Sequence, residues 1–249
     1  MRAVAEEPTG GGGGRPNRVL VVLHQETSSP GRIGRLLAAR GFHLDVRRPR
    51  FGDTLPETMA EHAGAVVFGG PMSANDGDAC ITREIDWLGV PLSEGAPLLG
   101  ICLGAQMMVR HLGGTVAPHP DGLVEVGYYP IEPTEAGRPL LPWPKRVYQW
   151  HREGFDVPAG VELLARSDGA FPNQAFRIGE KAFGVQFHPE LTLAQVNRWT
   201  TTGHQRLSLP GARPRPTHFA ERYIHDAAVL AWLEAFFDLW IGRIAVPQD

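Results

Sequence analysis

The sequence predicts an α/β domain of three layers: a central, mostly parallel sheet, helices on both faces, and a small antiparallel appendage. Three observations carry that expectation. From Arg18 onward, short β-branched runs alternate with stretches at helical spacing, the pattern of a parallel sheet covered by helices. Beyond about residue 120 the strand-like segments follow one another, interrupted by prolines, which implies a mixed sheet or an antiparallel appendage. The composition, 43% hydrophobic and 20% charged over 249 residues, is that of a globular chain large enough for a sizeable core and within the size of one domain.

Residues 1–17 hold Pro8, Pro16 and the run Gly10 to Gly14 with almost nothing apolar, so a flexible tail is expected there, followed by one domain over 18–249. Arg18 to Leu23 reads as the first strand. Ser29 and Pro30 read as a helix cap and first-turn proline, leading through Ile33, Leu36 and Leu37 to a stop at Gly41. Phe42 to Val46 and Ala63 to Phe68 are the next strands. Thr82 to Leu92 has helical spacing, with Ile85, Leu88 and Leu92 on one face. Pro97 to Ile101 is a buried central strand, and Gly104 to His111 a helix closed by Gly113 and Gly114. Strands are expected at Val124 to Ile131, Arg146 to Trp150, Val161 to Arg166, Asn173 to Ile178 and Ala182 to Phe187. Helices are expected at Thr192 to Thr202 and Phe219 to Ile241, with Trp232, Phe236, Phe237 and Trp240 as core.

The formal net charge of −3 and pI near 6.4 provide no positive field for a nucleic acid. Arg47, Arg48 and Arg50 read as a solvated loop. Two cysteines, Cys80 and Cys102, are too few for a disulfide scaffold and suit a reducing compartment. With no basic, apolar leader and no apolar run long enough to span a bilayer, a cytoplasmic chain without a membrane partner is expected.

Three segments carry candidate chemistry, all at predicted strand ends, where parallel α/β sheets bind ligands. Gly100-Ile101-Cys102-Leu103-Gly104 runs from strand into helix. Small flanking residues permit the sharp turn that lifts a nucleophile above the sheet edge, and the helix N-terminus favours a thiolate. The bland alternative is a buried core cysteine. In Gly184 to Glu190, an apolar strand ends in His188 with Glu190 two residues on; side chains at i and i+2 point the same way, so the carboxylate can hold one imidazole nitrogen and leave the other free as a base. Alone, a His-x-Glu is more often an exposed loop. Phe68-Gly69-Gly70-Pro71 brings flexible glycines to the same edge, and the amides of Gly70 and Leu103 are candidate oxyanion donors; in isolation the segment is only a turn signal. The other histidines lack the spacing of a zinc site, and neither metal nor cofactor is expected.

Together Gly69-Gly70-Pro71, Pro97 to Gln106 (PLLGICLGAQ), Glu125-Val126-Gly127 and Gly184 to Glu190 (GVQFHPE) resemble the class I, triad-type glutamine amidotransferases, such as the glutaminase domain of GMP synthetase. The resemblance spans about Arg18 to the C-terminal helix. It implies a flavodoxin-like fold and a catalytic triad of Cys102, His188 and Glu190, which attacks the side-chain amide of glutamine through a thioester and releases ammonia. It also implies that Gly69, Met72, Gln106 and His151 hold the amino-acid end of the substrate, with Glu125 and Gly127 beneath the pocket. Where relatives carry glycine after the histidine, this chain has Arg152, a cation that suits the carboxylate of a larger γ-glutamyl compound. No synthetase pattern follows the last helix. Three functions therefore stand: a glutaminase feeding ammonia to a separate synthetase or other acceptor enzyme, a γ-glutamyl peptide hydrolase, or a non-catalytic module of the same fold.

Overall fold

The computed structural model describes residues 16–244; the expected tail lies almost wholly outside them. Twelve strands are present among the described residues: β1 Arg18–Val22, β2 His43–Arg47, β3 Gly64–Val67, β4 Leu98–Ile101, β5 Val116–Pro118, β6 Glu125–Pro130, β7 Glu132–Pro133, β8 Arg146–His151, β9 Glu153–Phe155, β10 Glu162–Arg166, β11 Asn173–Ile178 and β12 Ala182–Val185. The α-helices are α1 Gly31–Ala39, α2 Ala79–Trp87, α3 Gly89–Ser93, α4 Leu103–His111, α5 Leu193–Thr202 and α6 Arg215–Trp240. Eight strands form one sheet in the order β2-β1-β3-β4-β12-β11-β10-β7. The first five are mutually parallel, and β11, β10 and β7 continue the sheet antiparallel.

Alternation along β1 builds the three layers. Val19 and Val21 pack with Ile33 and Leu37 of α1 and with Trp232, Phe236 and Phe237 of α6, whereas Leu20 and Val22 pack with Ile81 of α2 and Met107 and Met108 of α4. Both faces of the sheet are thus closed by apolar side chains, each removing on the order of 1.5–3 kcal/mol of exposed hydrophobic surface from water. The appendage consists of two antiparallel ribbons, β6 with β8 and β5 with β9.

The predicted helix over Thr82 to Leu92 is broken at Leu88 into α2 and α3. Pro91 causes the break, since it has no N–H for the carbonyl of Trp87 four residues earlier. Ser29 does not cap α1; Pro30 occupies the cap position, and the Arg32 amide donates to the Glu190 carbonyl at 2.9 Å. A distant segment therefore does the capping. At α5 the expectation of a start at Thr192 holds, with a reciprocal capping box between Thr192 and Gln195.

Candidate active site

The site forms because β4 and β12 are adjacent and parallel, in a register that pairs Gly100 with Gly184 and Ile101 with Val185. Both strands end at the same edge, and the Cys102 amide donates to the Val185 carbonyl at 2.8 Å. Cys102 is the one non-glycine residue at positive φ among the described residues, with φ 50° and ψ −104°. Such backbone strain, of order 1–3 kcal/mol, persists only where the surroundings enforce it. They do so here: a Cβ at Gly104 would lie 2.1 Å from the Val67 carbonyl oxygen, and one at Gly100 2.7 Å from the Ala105 nitrogen. The glycines let α4 start directly against the sheet, with Cys102 at the apex and only 6% exposed.

His188 and Glu190 follow β12. His188 Nδ1 lies 2.8 Å from Glu190 Oε1, and both residues are buried. Nε2 closes no hydrogen bond of standard geometry. Burial opposes the imidazolium, but the Glu190 carboxylate and then Cys102 outweigh it and push His188 up to about 10. Cys102 is thus within electrostatic reach of the ring. Gly69 completes the arrangement, since a Cβ there would stand 2.9 Å from His188 Cε1 and 3.4 Å from Cys102 Cβ. The next amide, that of Gly70, and that of Leu103 make no hydrogen bond among the described residues.

These groups line a cleft of about 270 Å³ that holds Gly69, Gly70, Cys102, His188 and Glu190 together. It lies beside β1 and β3, where the strand order reverses, the place at which open parallel sheets bind ligands. Three further wall residues carry no sequence signal: Trp150, Trp199 and Arg206. The Trp199 ring meets that of His188 edge-on, with centroids 4.9 Å apart. Arg206 sits in a short 3₁₀ turn, His204–Ser208, and its pKa is lowered, first by burial and then by the neighbouring Arg152 cation, with Cys102 partly offsetting both.

The remaining predicted binding residues take other places. Gln106 and His151 are buried outside the cleft wall, and both converge on the Glu153 carbonyl, at 2.9 and 3.0 Å. The Glu153 carboxylate in turn accepts from Ser73 Oγ at 2.9 Å, tying down the chain after Pro71 and the half-buried Met72. Glu125 is fully buried, 3.2 Å from His151. Arg152 is exposed and does not line the cleft, although its charge acts on Arg206. Among the described residues no group of three or more His, Cys, Asp or Glu is placed to hold a metal ion.

An α/β domain with a cysteine on a strained strand-to-helix turn, near a carboxylate-held histidine, has the arrangement of an activated thiol nucleophile. The family model for class-I glutamine amidotransferases matches residues 25–199. The glutamine amidotransferase-like protein YfeJ of Salmonella typhimurium is 31% identical over 201 residues, covering 77% of this chain and 83% of that one. A glutamine-hydrolysing GMP synthase of Aeropyrum pernix is 33% identical over 169 residues, 67% of this chain but only 31% of that protein's length. Among solved structures, a glutamine amidotransferase of Thermotoga maritima superposes with a TM-score of 0.80 at 26% identity, covering 89% and 96% of the two chains. One from Methylobacillus flagellatus shares the fold with a TM-score of 0.82 at 23% identity, covering 95% and 99%. The chain belongs to the class I glutamine amidotransferase family.

Proposed function

We propose that the chain hydrolyses the side-chain amide of glutamine, with Cys102 as nucleophile, His188 as proton carrier and Glu190 as its orienter. The observation that carries this reading is the meeting of a strained Cys102 with a histidine whose Nδ1 is held and whose Nε2 is free. The Cys102 thiolate adds to the amide carbon, and the resulting oxyanion accepts hydrogen bonds from the Gly70 and Leu103 amides. The C–N bond then breaks as His188 gives a proton to the departing ammonia, leaving a thioester. Water attacks that thioester as His188 takes back a proton, and the S–C bond breaks to release glutamate and the thiolate. Gln106 and His151 act from behind, holding the Glu153 segment and through Ser73 the Gly69–Met72 loop.

The ammonia goes to a separate acceptor enzyme, a reading supported by the GMP synthases that carry a matching region as about a third of their length. The test is glutamate release from glutamine by the pure chain, alone and with candidate acceptor enzymes; an unchanged rate in Cys102→Ala would overturn the mechanism.

One observation favours a second reading, a γ-glutamyl peptide hydrolase with the same triad. Arg206 lies in the cleft with neighbouring Arg152 and no carboxylate partner among the described residues, so a substrate bearing a carboxylate beyond the scissile amide would complete it. Rates for glutamine and for γ-glutamyl peptides, measured side by side, decide between the two.

A further inference from the structure

Another buried histidine–glutamate pair stands directly behind the glycine loop. His24 follows β1 and Glu84 lies on α2; they are 1% and 2% exposed. His24 Nε2 is 2.8 Å from Glu84 Oε2, and His24 Nδ1 is 3.2 Å from the Gly69 carbonyl oxygen. The other carboxylate oxygen of Glu84 accepts from the Cys80 thiol at 3.6 Å.

We infer that His24, held by Glu84, is a positioning residue that aims the Gly70 amide at the substrate's oxyanion, an inference that rests on the hydrolytic function proposed above. The link is the geometry of one peptide unit. The Gly69 carbonyl and the Gly70 N–H belong to the same planar trans peptide and point in opposite directions. A histidine that fixes the carbonyl on one side therefore fixes the amide on the other. The space around the loop enforces the same orientation: a Cβ at Gly70 would stand 2.9 Å from both His24 Cβ and Leu103 Cδ2. Gly70 is thus clamped between the pair and the residue that supplies the second oxyanion donor.

Hydrogen-bond counting explains why a polar partner is needed at Nε2. The Gly69 carbonyl only accepts, so Nδ1 must carry its proton, and a proton must also lie between Nε2 and Glu84 for that contact to bond. Glu84 thereby holds His24 in the form that donates to the loop. A buried ionisable pair is a poor source of stability, because apolar residues of similar volume often serve as well or better. Its placement against the loop calls for another reason, and oxyanion alignment supplies one.

The experiment compares wild type, the double variant His24→Phe/Glu84→Leu and the single variant Glu84→Leu. The double variant keeps the volume filled and leaves no buried charge, so it is expected to melt near wild type. It should lose about 10- to 100-fold in kcat with KM little changed, since a small misplacement of a transition-state donor costs that much. Affinity for a γ-aldehyde analogue of glutamate, whose thiohemiacetal needs the same donors, should fall in parallel, while alkylation of Cys102 by iodoacetamide, which forms no oxyanion, stays at the wild-type rate. Glu84→Leu, which leaves nothing beside Nε2 to hold a proton in that contact, covers a double variant that does not fold, and should show the same kcat-selective loss at about tenfold. Full kcat and full aldehyde affinity in a folded variant would overturn the inference and leave the functional reading standing. Equal losses of turnover and alkylation would overturn it in favour of a merely structural role. A wild-type chain inert towards glutamine, γ-glutamyl peptides and the aldehyde would remove the functional reading and this inference together.

Discussion

His188–Glu190 and His24–Glu84 are both buried, both 2.8 Å long, and lie on opposite sides of the Gly69–Gly70 peptide. They differ in what the second imidazole nitrogen meets. In His24 it meets a backbone carbonyl, so the ring is occupied at both ends. In His188 it closes no hydrogen bond of standard geometry and faces the cysteine. The contrast separates a histidine that can move a proton from one that can only hold a position. Burial and a carboxylate partner do not make the distinction; the vacant nitrogen does.

The hardest test of that contrast removes the proton carrier. His188→Asn and Cys102→Ser should each lower kcat by roughly 10⁵ to 10⁶, and the double variant should lose little more, because groups acting as one unit are not additive. Single-turnover kinetics with glutamine check this; losses that multiplied in the double variant would show the two acting independently.

Glu190→Gln comes next, at roughly 10³ to 10⁴ in kcat, because the amide keeps the shape but no longer stabilises the imidazolium. It also carries a signed pH effect. The Glu190 carboxylate is the strongest of the influences raising His188 to about 10, and the protonated ring is the acid that releases ammonia. Wild-type kcat/KM should therefore fall as pH rises through about 10, and the variant's alkaline limb should move to lower pH. Glu84→Gln should leave that limb in place, and a shift there would break the contrast between the pairs.

Much of this frame was legible because it depends on local patterns. Alternating β-branched runs located the sheet strands, and Gly100, Cys102 and Gly104 marked the turn because only small residues allow such a close strand-to-helix approach. Glu190 was readable from its i, i+2 spacing to His188. His24–Glu84 was not, because its members are 60 residues apart and meet only after β1 and α2 pack together. Arg206 was hidden for the same reason, lying in a turn with no periodicity. Gln106 and His151 come to the Glu153 carbonyl only through packing, a contact that neither residue's sequence neighbourhood announces. The split of α2 from α3 turns on Pro91, whose effect a purely apolar periodicity over Ile85, Leu88 and Leu92 conceals.

Arg206→Gln should act on binding alone, raising KM by about tenfold with kcat preserved, the value of one charge-assisted hydrogen bond. Glutamine, a γ-glutamyl peptide and a γ-glutamyl alkylamide divide the possibilities. A KM rise confined to the peptide places the contact at the leaving group's carboxylate, whereas a rise for all three places it at the α-carboxylate they share.

The smallest effect concerns stability and again sets the two pairs apart. His188 is raised from about 6.5 in the unfolded chain to about 10 in the folded one. The folded state thus binds the proton more tightly, and its stabilising contribution is complete below about pH 6.5 and fades as pH rises towards 10. Melting temperature should decline across that window by a few degrees, and Glu190→Gln should flatten the decline because it removes the main cause of the raised value. His24→Phe/Glu84→Leu, which leaves the Cys102–His188–Glu190 group untouched, should keep the slope. If that variant flattened it instead, the two pairs would be titrating as one unit across the Gly69–Gly70 peptide, and the division between proton carrier and positioning pair would fail.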